Sequence, residues 1–199
     1  MGSGGAGLAL GLFDGEFGHL YTKESYSHYR LRVEYRFAGE QVTNGPGWAY
    51  RNNGVMLHSQ SAASMLLDQD FPASIEAQML GGNGSDARPN GNVCTPGTHI
   101  EIAGELIKRH CTNSESATFH GDQWVMMEIE VLGAQSVRHW LNGEEVFAYG
   151  GIQLDPESVE ARPLIAAGAA LELSAGHIAL QAETAPIEFR RVDILLLEE

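Results

Sequence analysis

Two polar residues interrupt an otherwise apolar segment, Ser74-Ile75-Glu76-Ala77-Gln78-Met79-Leu80. At strand period Ile75, Ala77 and Met79 share one face, while Glu76 and Gln78 share the other. His58 stands near the end of the preceding apolar segment, Gly54-Val55-Met56-Leu57-His58-Ser59. If the two segments are neighbouring strands, His58 and Glu76 approach each other. A carboxylate beside an imidazole is a workable acid/base pair near neutral pH. The plainer readings are a hydrogen-bonded histidine at a sheet edge and a solvated carboxylate. His58 and Glu76, with His99 as a third candidate, also suit a divalent metal that accepts nitrogen and oxygen. Arg51, Asn53 and Gln78 carry the donors and acceptors needed to hold sugar hydroxyls, although Arg51-Asn52-Asn53 also reads as a turn. Trp48, Trp124 and Trp140 offer rings on which a sugar stacks, with Trp140 the one expected to bind substrate. Trp124 begins a strand and reads as core. Familiar catalytic signatures are absent: the chain has no GxSxG, HExxH or Walker loop, and no GxGxxG that follows a strand.

The elements that must position these residues are strands. Tyr29 to Phe37 alternates, with Leu31, Val33, Tyr35 and Phe37 on one face and Arg30, Arg32, Glu34 and Arg36 on the other. Further strands read over Gly54–Ser59, Ser74–Leu80, Trp124–Val131, Val137–Leu141, Glu145–Tyr149, His177–Glu183 and Ile187–Ile194, with Asn142-Gly143 as a hairpin turn. Residues Gly81 to Gly97, rich in Gly, Asn and Pro, read as one long loop. Ala161 to Leu173 has room for a short helix. Many short strands between turn signals, in a chain of 199 residues with 24 glycines, point to an all-β sandwich of two antiparallel sheets. Residues 1–199 read as a single domain, with 1–7 a leader or disordered start.

The net charge of −14 opposes phosphate backbones and anionic membranes, so no nucleic acid is expected as a partner and a neutral carbohydrate remains open. No apolar run reaches the length of a membrane span. The two cysteines, Cys94 and Cys111, flank a loop-rich stretch. A disulfide there would contribute roughly 3 kcal/mol and fits an oxidising compartment. Two buried thiols, or metal ligation with His99 or His110, are the alternatives.

The order of these segments resembles a known family. Leu20–Arg36 is similar to its opening strands, Asn52-Asn53-Gly54-Val55-Met56-Leu57-His58 to its N-G-hydrophobic strand, and Ser74–Leu80 to its E-x-Q strand. Gly121-Asp122-Gln123-Trp124 is similar to its G-x-W start, and Trp140-Leu141-Asn142-Gly143-Glu144 to its N-G hairpin. Gly176–Gln181 and Pro186–Val192 are similar to its G-x-I-x-L-Q and E-F-R endings. The chain thereby resembles the 3-keto-disaccharide hydrolase domain family from about residue 12 onwards. The resemblance implies a concanavalin-like jelly roll, a secreted or periplasmic setting, and action on 3-keto-glycosides. It implies removal of the C2 proton, acidified by the C3 ketone, and departure of the glycosidic oxygen from C1, with water addition completing net hydrolysis. Glu76 or His58 would be the base, with Gln78 and Arg51 holding the sugar and a metal or hydrogen-bond donor stabilising the enolate. Two departures stand out: Ala182-Glu183-Thr184 where the family places His-Gly after its L-Q strand, and Arg190-Arg191 where it has Asn-Arg. A Glu34/Glu76 carboxylate pair is a second catalytic option. A non-catalytic carbohydrate-binding module, or a purely structural domain, on the same fold is the competing function.

Overall fold

The computed structural model describes residues 8–10, 17–41 and 45–198; the expected leader at 1–7 lies outside them. Among the described residues fourteen strands form two antiparallel sheets. The eight-stranded sheet contains β1 (Leu8–Leu10), β3 (His28–Phe37), β7 (Thr98–Ile102), β8 (Glu105–Ile107), β10 (Val125–Leu132), β11 (Ser136–Leu141), β12 (Glu144–Leu154) and β14 (Ile187–Leu196), in the order β1-β14-β3-β10-β11-β12-β7-β8. The six-stranded sheet contains β2 (Gly18–Tyr21), β4 (Asn52–Ser59), β5 (Ile75–Leu80), β6 (Asn92–Cys94), β9 (Cys111–Thr112) and β13 (His177–Ala182), in the order β2-β13-β4-β5-β6-β9. Strands adjacent in space are mostly distant in sequence, the jelly-roll arrangement of concanavalin-like proteins.

The alternation in the sequence determines which faces meet. Tyr29, Leu31, Val33, Tyr35 and Phe37 of β3 and Val125, Met127, Ile129 and Val131 of β10 point inward from the larger sheet. They meet Val55, Leu57, Ile75, Ala77, Met79 and Val93 of the smaller one. At roughly 1.5–3 kcal/mol for each large buried side chain, this layer dominates the favourable free energy of folding. The outward face of β3 is tied to its neighbours by ion pairs, Arg30–Glu130 at 2.6 Å, Arg32–Glu128 at 2.9 Å and Arg36–Glu188 at 2.6 Å. Glu34 belongs to this outer face and accepts from Arg190 at 2.7 Å, so the Glu34/Glu76 pair does not form. Asn142 and Gly143 both have positive φ, 51° and 89°, as a tight two-residue hairpin requires. One short helix, Ala161–Ala166, lies between β12 and β13. No helix among the described residues is long and apolar enough to cross a membrane.

The stretch 81–97 differs from the long loop expected of it, because it contains β6. The preceding residues, 81–91, are a loop strapped to the segment that follows β9. Asn90 N–H donates to Ser116 Oγ at 2.6 Å, Ser114 Oγ–H donates to the Asn90 carbonyl at 2.6 Å, and Asn90 Nδ2 donates to Tyr35 Oη at 2.6 Å. A buried asparagine thus replaces strand pairing as the anchor. Cys94 and Cys111 are joined by a disulfide, directly across the β6–β9 ladder.

Candidate active site

Residues paired across an antiparallel ladder share a face of the sheet. In the six-stranded sheet Tyr21, Ala179, Met56, Glu76 and Cys94 form one such row. The next row runs from His19 through Gln181, Gly54 and Gln78 to Asn92; Gln181 follows Leu180, the partner of Val55, and so falls beside Gly54. Glu183 continues the alternation along β13. This face, turned away from the inter-sheet core, carries a cavity of about 380 Å³. Trp48, Phe71, Arg88, His110 and the Cys94–Cys111 bridge line its walls, and Asn52, Glu76, Gln78 and Glu183 line its floor.

Gly54 makes the floor. A β carbon there would lie 2.5 Å from Cγ and Oε1 of Glu76, so the Glu76 side chain occupies space that only a glycine leaves open. Glu76 is 6 % exposed and Glu183 2 % exposed. Burial raises both carboxyls. Glu76 is pushed well above the usual carboxylate range by desolvation and then by the charge of Glu183. Glu183 is raised by burial to about 8, with Arg88 acting in the opposite direction. Desolvation lowers the Arg88 guanidinium in turn. Its Nη1 donates to the carbonyls of Gly81 at 2.7 Å and Arg51 at 3.2 Å, which hold it at the cavity wall.

Buried polar atoms without a hydrogen-bond partner concentrate on this face. Among the described residues they are His19 Nε2, Glu76 Oε1, both amide atoms of Gln181 and Glu183 Oε2, with Tyr29 Oη and His58 Nδ1 in the core as the remainder. An unsatisfied buried polar atom costs about 1–3 kcal/mol. Glu76 and Glu183, whose unpartnered oxygens share one cavity, mark a place built for a polar ligand. For a cation, Glu76, Glu183 and the Gln181 amide oxygen supply hard oxygen donors of the kind that suits Ca²⁺ or Mg²⁺. The cluster of Cys94, His110 and Cys111 does not suit a metal, since its sulfurs are bonded to each other.

Glu76 and Gln78 therefore share the cavity, with Gln78 donating to Asn52 at 3.2 Å and accepting from Asn92 at 3.0 Å. His58 is not with them. Simple alternation would place it on the Glu76 face, but the β4–β13 register breaks there, with Ser59 opposite His177 and Met56 opposite Ala179. His58 has φ +48°. This bulge turns the ring into the core, edge-on to Tyr29, where its Nε2 lies 3.0 Å from the Gly133 carbonyl. Burial lowers its pKa.

The other expected ligands are dispersed. His99 lies in the opposite sheet, 3.5 Å from Asp155, so the set His58, Glu76 and His99 does not assemble. Asn53 points into the core and donates to the Gln181 carbonyl at 2.7 Å. Arg51 is engaged by the Gly121 carbonyl at 3.0 Å and by Asp122 at 2.9 Å. Trp140 packs under Arg30 on the outer face of the larger sheet. Trp124 is not core either; its ring lies between Arg36 and Arg190 at 4.9 and 4.5 Å.

Sequence reasoning missed Glu183 and Arg88, which line the cavity, and Gln181 and His19, which share its face of the sheet. A signal existed for two of them: Gln181 and Glu183 repeat, in reverse order, the alternating carboxylate and amide of Glu76 and Gln78.

A jelly roll with a cavity on one sheet, floored by buried carboxylates and amides and walled by aromatic rings, has the make-up of a small-molecule binding site. Solved structures share the fold. A candidate glycosyl hydrolase from Parabacteroides distasonis ATCC 8503 is 19% identical, with a TM-score of 0.56 over 95% of this chain and 87% of that one. The carbohydrate-binding module CBM66 from Bacillus subtilis is 11% identical, with a TM-score of 0.51 over 95% and 91% of the two chains. No curated protein matches the sequence. The chain belongs to the 3-keto-alpha-glucoside-1,2-lyase-like domain family, whose profile spans residues 7–195.

Proposed function

We propose that this protein cleaves 3-keto-glycosides by β-elimination across C1 and C2, with Glu183 and Glu76 as the base and acid. The observation that carries the reading is the pair of buried carboxyls on one cavity floor, each raised by burial and coupled through charge. With Glu183 at about 8 and Glu76 raised as well, the pair holds its protons through neutral pH and loses the first in mildly alkaline solution. Arg88 favours the ionised form at Glu183, so Glu183 is the member that accepts. It takes the proton from C2, which the C3 ketone acidifies. The C2–H electron pair becomes the C1–C2 double bond, and the C1–O bond breaks with its electrons on the departing oxygen. Glu76 gives its proton to that oxygen. Water addition across C1=C2 then yields the free 3-keto sugar. The Gln181 amide supplies an unpartnered N–H for the enolate oxygen as charge develops there. A divalent cation held by Glu76, Glu183 and Gln181 would supply the same stabilisation, and sensitivity to chelator distinguishes the two cases.

The deciding experiment is release of a chromophore from an aryl 3-keto-glucoside, beside the unoxidised glucoside. Release from the keto sugar alone supports elimination. Release from neither, with sugar binding retained, replaces it by the second reading, a non-catalytic carbohydrate-binding module. The half-exposed Trp48 at the cavity mouth is the feature that favours this alternative. The Cys94–Cys111 bridge supports a secreted or periplasmic location for either function.

A further inference from the structure

We propose that Cys94, Cys111 and His110 become a zinc site on the cavity wall once a dithiol reduces the bridge between the cysteines. Sγ of each cysteine and a ring nitrogen of His110 lie within 4.8 Å of one another. Tetrahedral zinc, with sulfur at about 2.3 Å and nitrogen at about 2.0 Å, spaces such ligands roughly 3.5–4 Å apart. The three groups are thus already close to ligand spacing, and the bond between the two sulfurs is what keeps a metal out.

The cysteines stay together when that bond opens, because other contacts hold their strands. Val93 faces Thr112 in the β6–β9 ladder. Thr95 N–H donates to the His110 carbonyl at 2.8 Å, and Ser114 N–H donates to Asn92 Oδ1 at 2.9 Å. Arg109 Nε donates to Thr112 Oγ1 at 2.8 Å. Cys111 is exposed and Cys94 buried, so a thiolate from solvent reaches Cys111 Sγ. Attack there forms a mixed disulfide and releases the Cys94 thiolate. The second thiol of the reductant then attacks its own sulfur in that mixed disulfide, departs as a cyclic disulfide and releases Cys111. Two electrons pass to the protein, and the reductant leaves oxidised. Zn²⁺ displaces one proton from each cysteine thiol and takes the lone pair of a neutral imidazole. The His110 ring is exposed and hydrogen-bonded to nothing among the described residues, its carbonyl alone being engaged. Two thiolates and an imidazole select zinc over the hard ions that suit carboxylates. Glu76, opposite Cys94 across the ladder, leans over Gly54 instead, so water takes the fourth position.

The test is anaerobic titration with Co²⁺ as a coloured stand-in for zinc. The reduced protein should develop a cobalt–thiolate absorption band that saturates at one equivalent and disappears when Zn²⁺ is added. The oxidised protein should show no such band, whatever cobalt its carboxylates take up. Cys111→Ser should abolish the band after reduction. His110→Ala should weaken zinc binding by roughly 10-fold or more, with the melting curve of the oxidised protein unchanged. No band in the reduced protein, zinc binding in His110→Ala as tight as in the unaltered chain, or loss of the fold on reduction overturns the site. The readout is spectroscopic, so it stands apart from turnover and from the elimination reading.

Discussion

Glu76 on β5 lies across Gly54 on β4, in space that a single β carbon would fill. Gly54→Ala should therefore displace the Glu76 carboxyl, which cannot swing far in a buried site. Activity on a 3-keto-glucoside is expected to fall at least 10-fold, while the thermal midpoint moves by only a few degrees. Steady-state kinetics beside a melting curve check this. An active Gly54→Ala enzyme would mean that Glu76 does not act from the cavity floor.

The two carboxyls themselves should be separable by pH. Glu183→Gln removes the proposed base and Glu76→Gln the proposed proton donor, and each should lower kcat by about 10²–10⁴. A pH–rate profile of the unaltered enzyme should rise as the pair loses its first proton and fall as it loses its second. Glu76→Gln should abolish the falling limb. Full activity in either variant rejects the corresponding role.

Stability should vary with pH in a direction that the same groups determine. The folded Glu183 carboxyl titrates at about 8 against 4.5 when unperturbed. Between those values the folded chain holds a proton that the unfolded chain has lost, so stability falls as pH rises. His19 and His139, lowered by burial to about 4 from 6.5, act in the opposite sense and lose stability as pH falls below 6.5. The opposing slopes partly cancel between 4.5 and 6.5. A net decline of up to about 1.4 kcal/mol per pH unit for each displaced proton is left between pH 6.5 and 8. Urea midpoints across that range should show it, and Glu183→Gln should make it shallower, leaving the share of Glu76, which burial raises in the same direction.

His58→Ala should separate stability from chemistry. The residue lies in the core, 3.0 Å from the Gly133 carbonyl, and its removal is expected to cost about 1–3 kcal/mol by leaving that group unpaired. The rate per folded molecule and its response to chelator should stay as they were. A selective loss of kcat with unchanged stability would return His58 to the site.

These expectations show where the sequence was informative. The strict alternation of β3 and the Glu76/Gln78 pair on β5 were legible, because a strand with one apolar face has little choice of orientation. The inward turn of His58 was not. It depends on an extra residue opposite β13, a partner far along the chain, and no local signal records it. Trp124 was misjudged for a related reason. Its setting between Arg36 and Arg190 follows from β3 and β14 being neighbours, which the pattern within its own strand does not encode. Glu183 carries the same alternation as Glu76. Its meaning emerges only when β13 is laid beside β4, which places the two carboxyls on one cavity floor.

The disulfide offers a final check on the cavity wall. Cys94→Ser with Cys111→Ser opens a closure that spans a sequence separation of 17, at a cost of about 3 kcal/mol. Because the bridge also lines the cavity, KM should rise more than kcat falls. Denaturant titration and kinetics under reducing and non-reducing conditions measure both.

The order of strands in the smaller sheet also constrains how the protein is made. β4 and β5 leave the ribosome well before β13, which sits between β2 and β4. Until β13 emerges, β2 and β4 have no shared neighbour and Glu76 has no counterpart. Nascent chains arrested before Ala182 should therefore be inert and prone to aggregation at the open β4 edge. The two carboxyls of the proposed catalytic pair therefore cannot come together until β13 has been made.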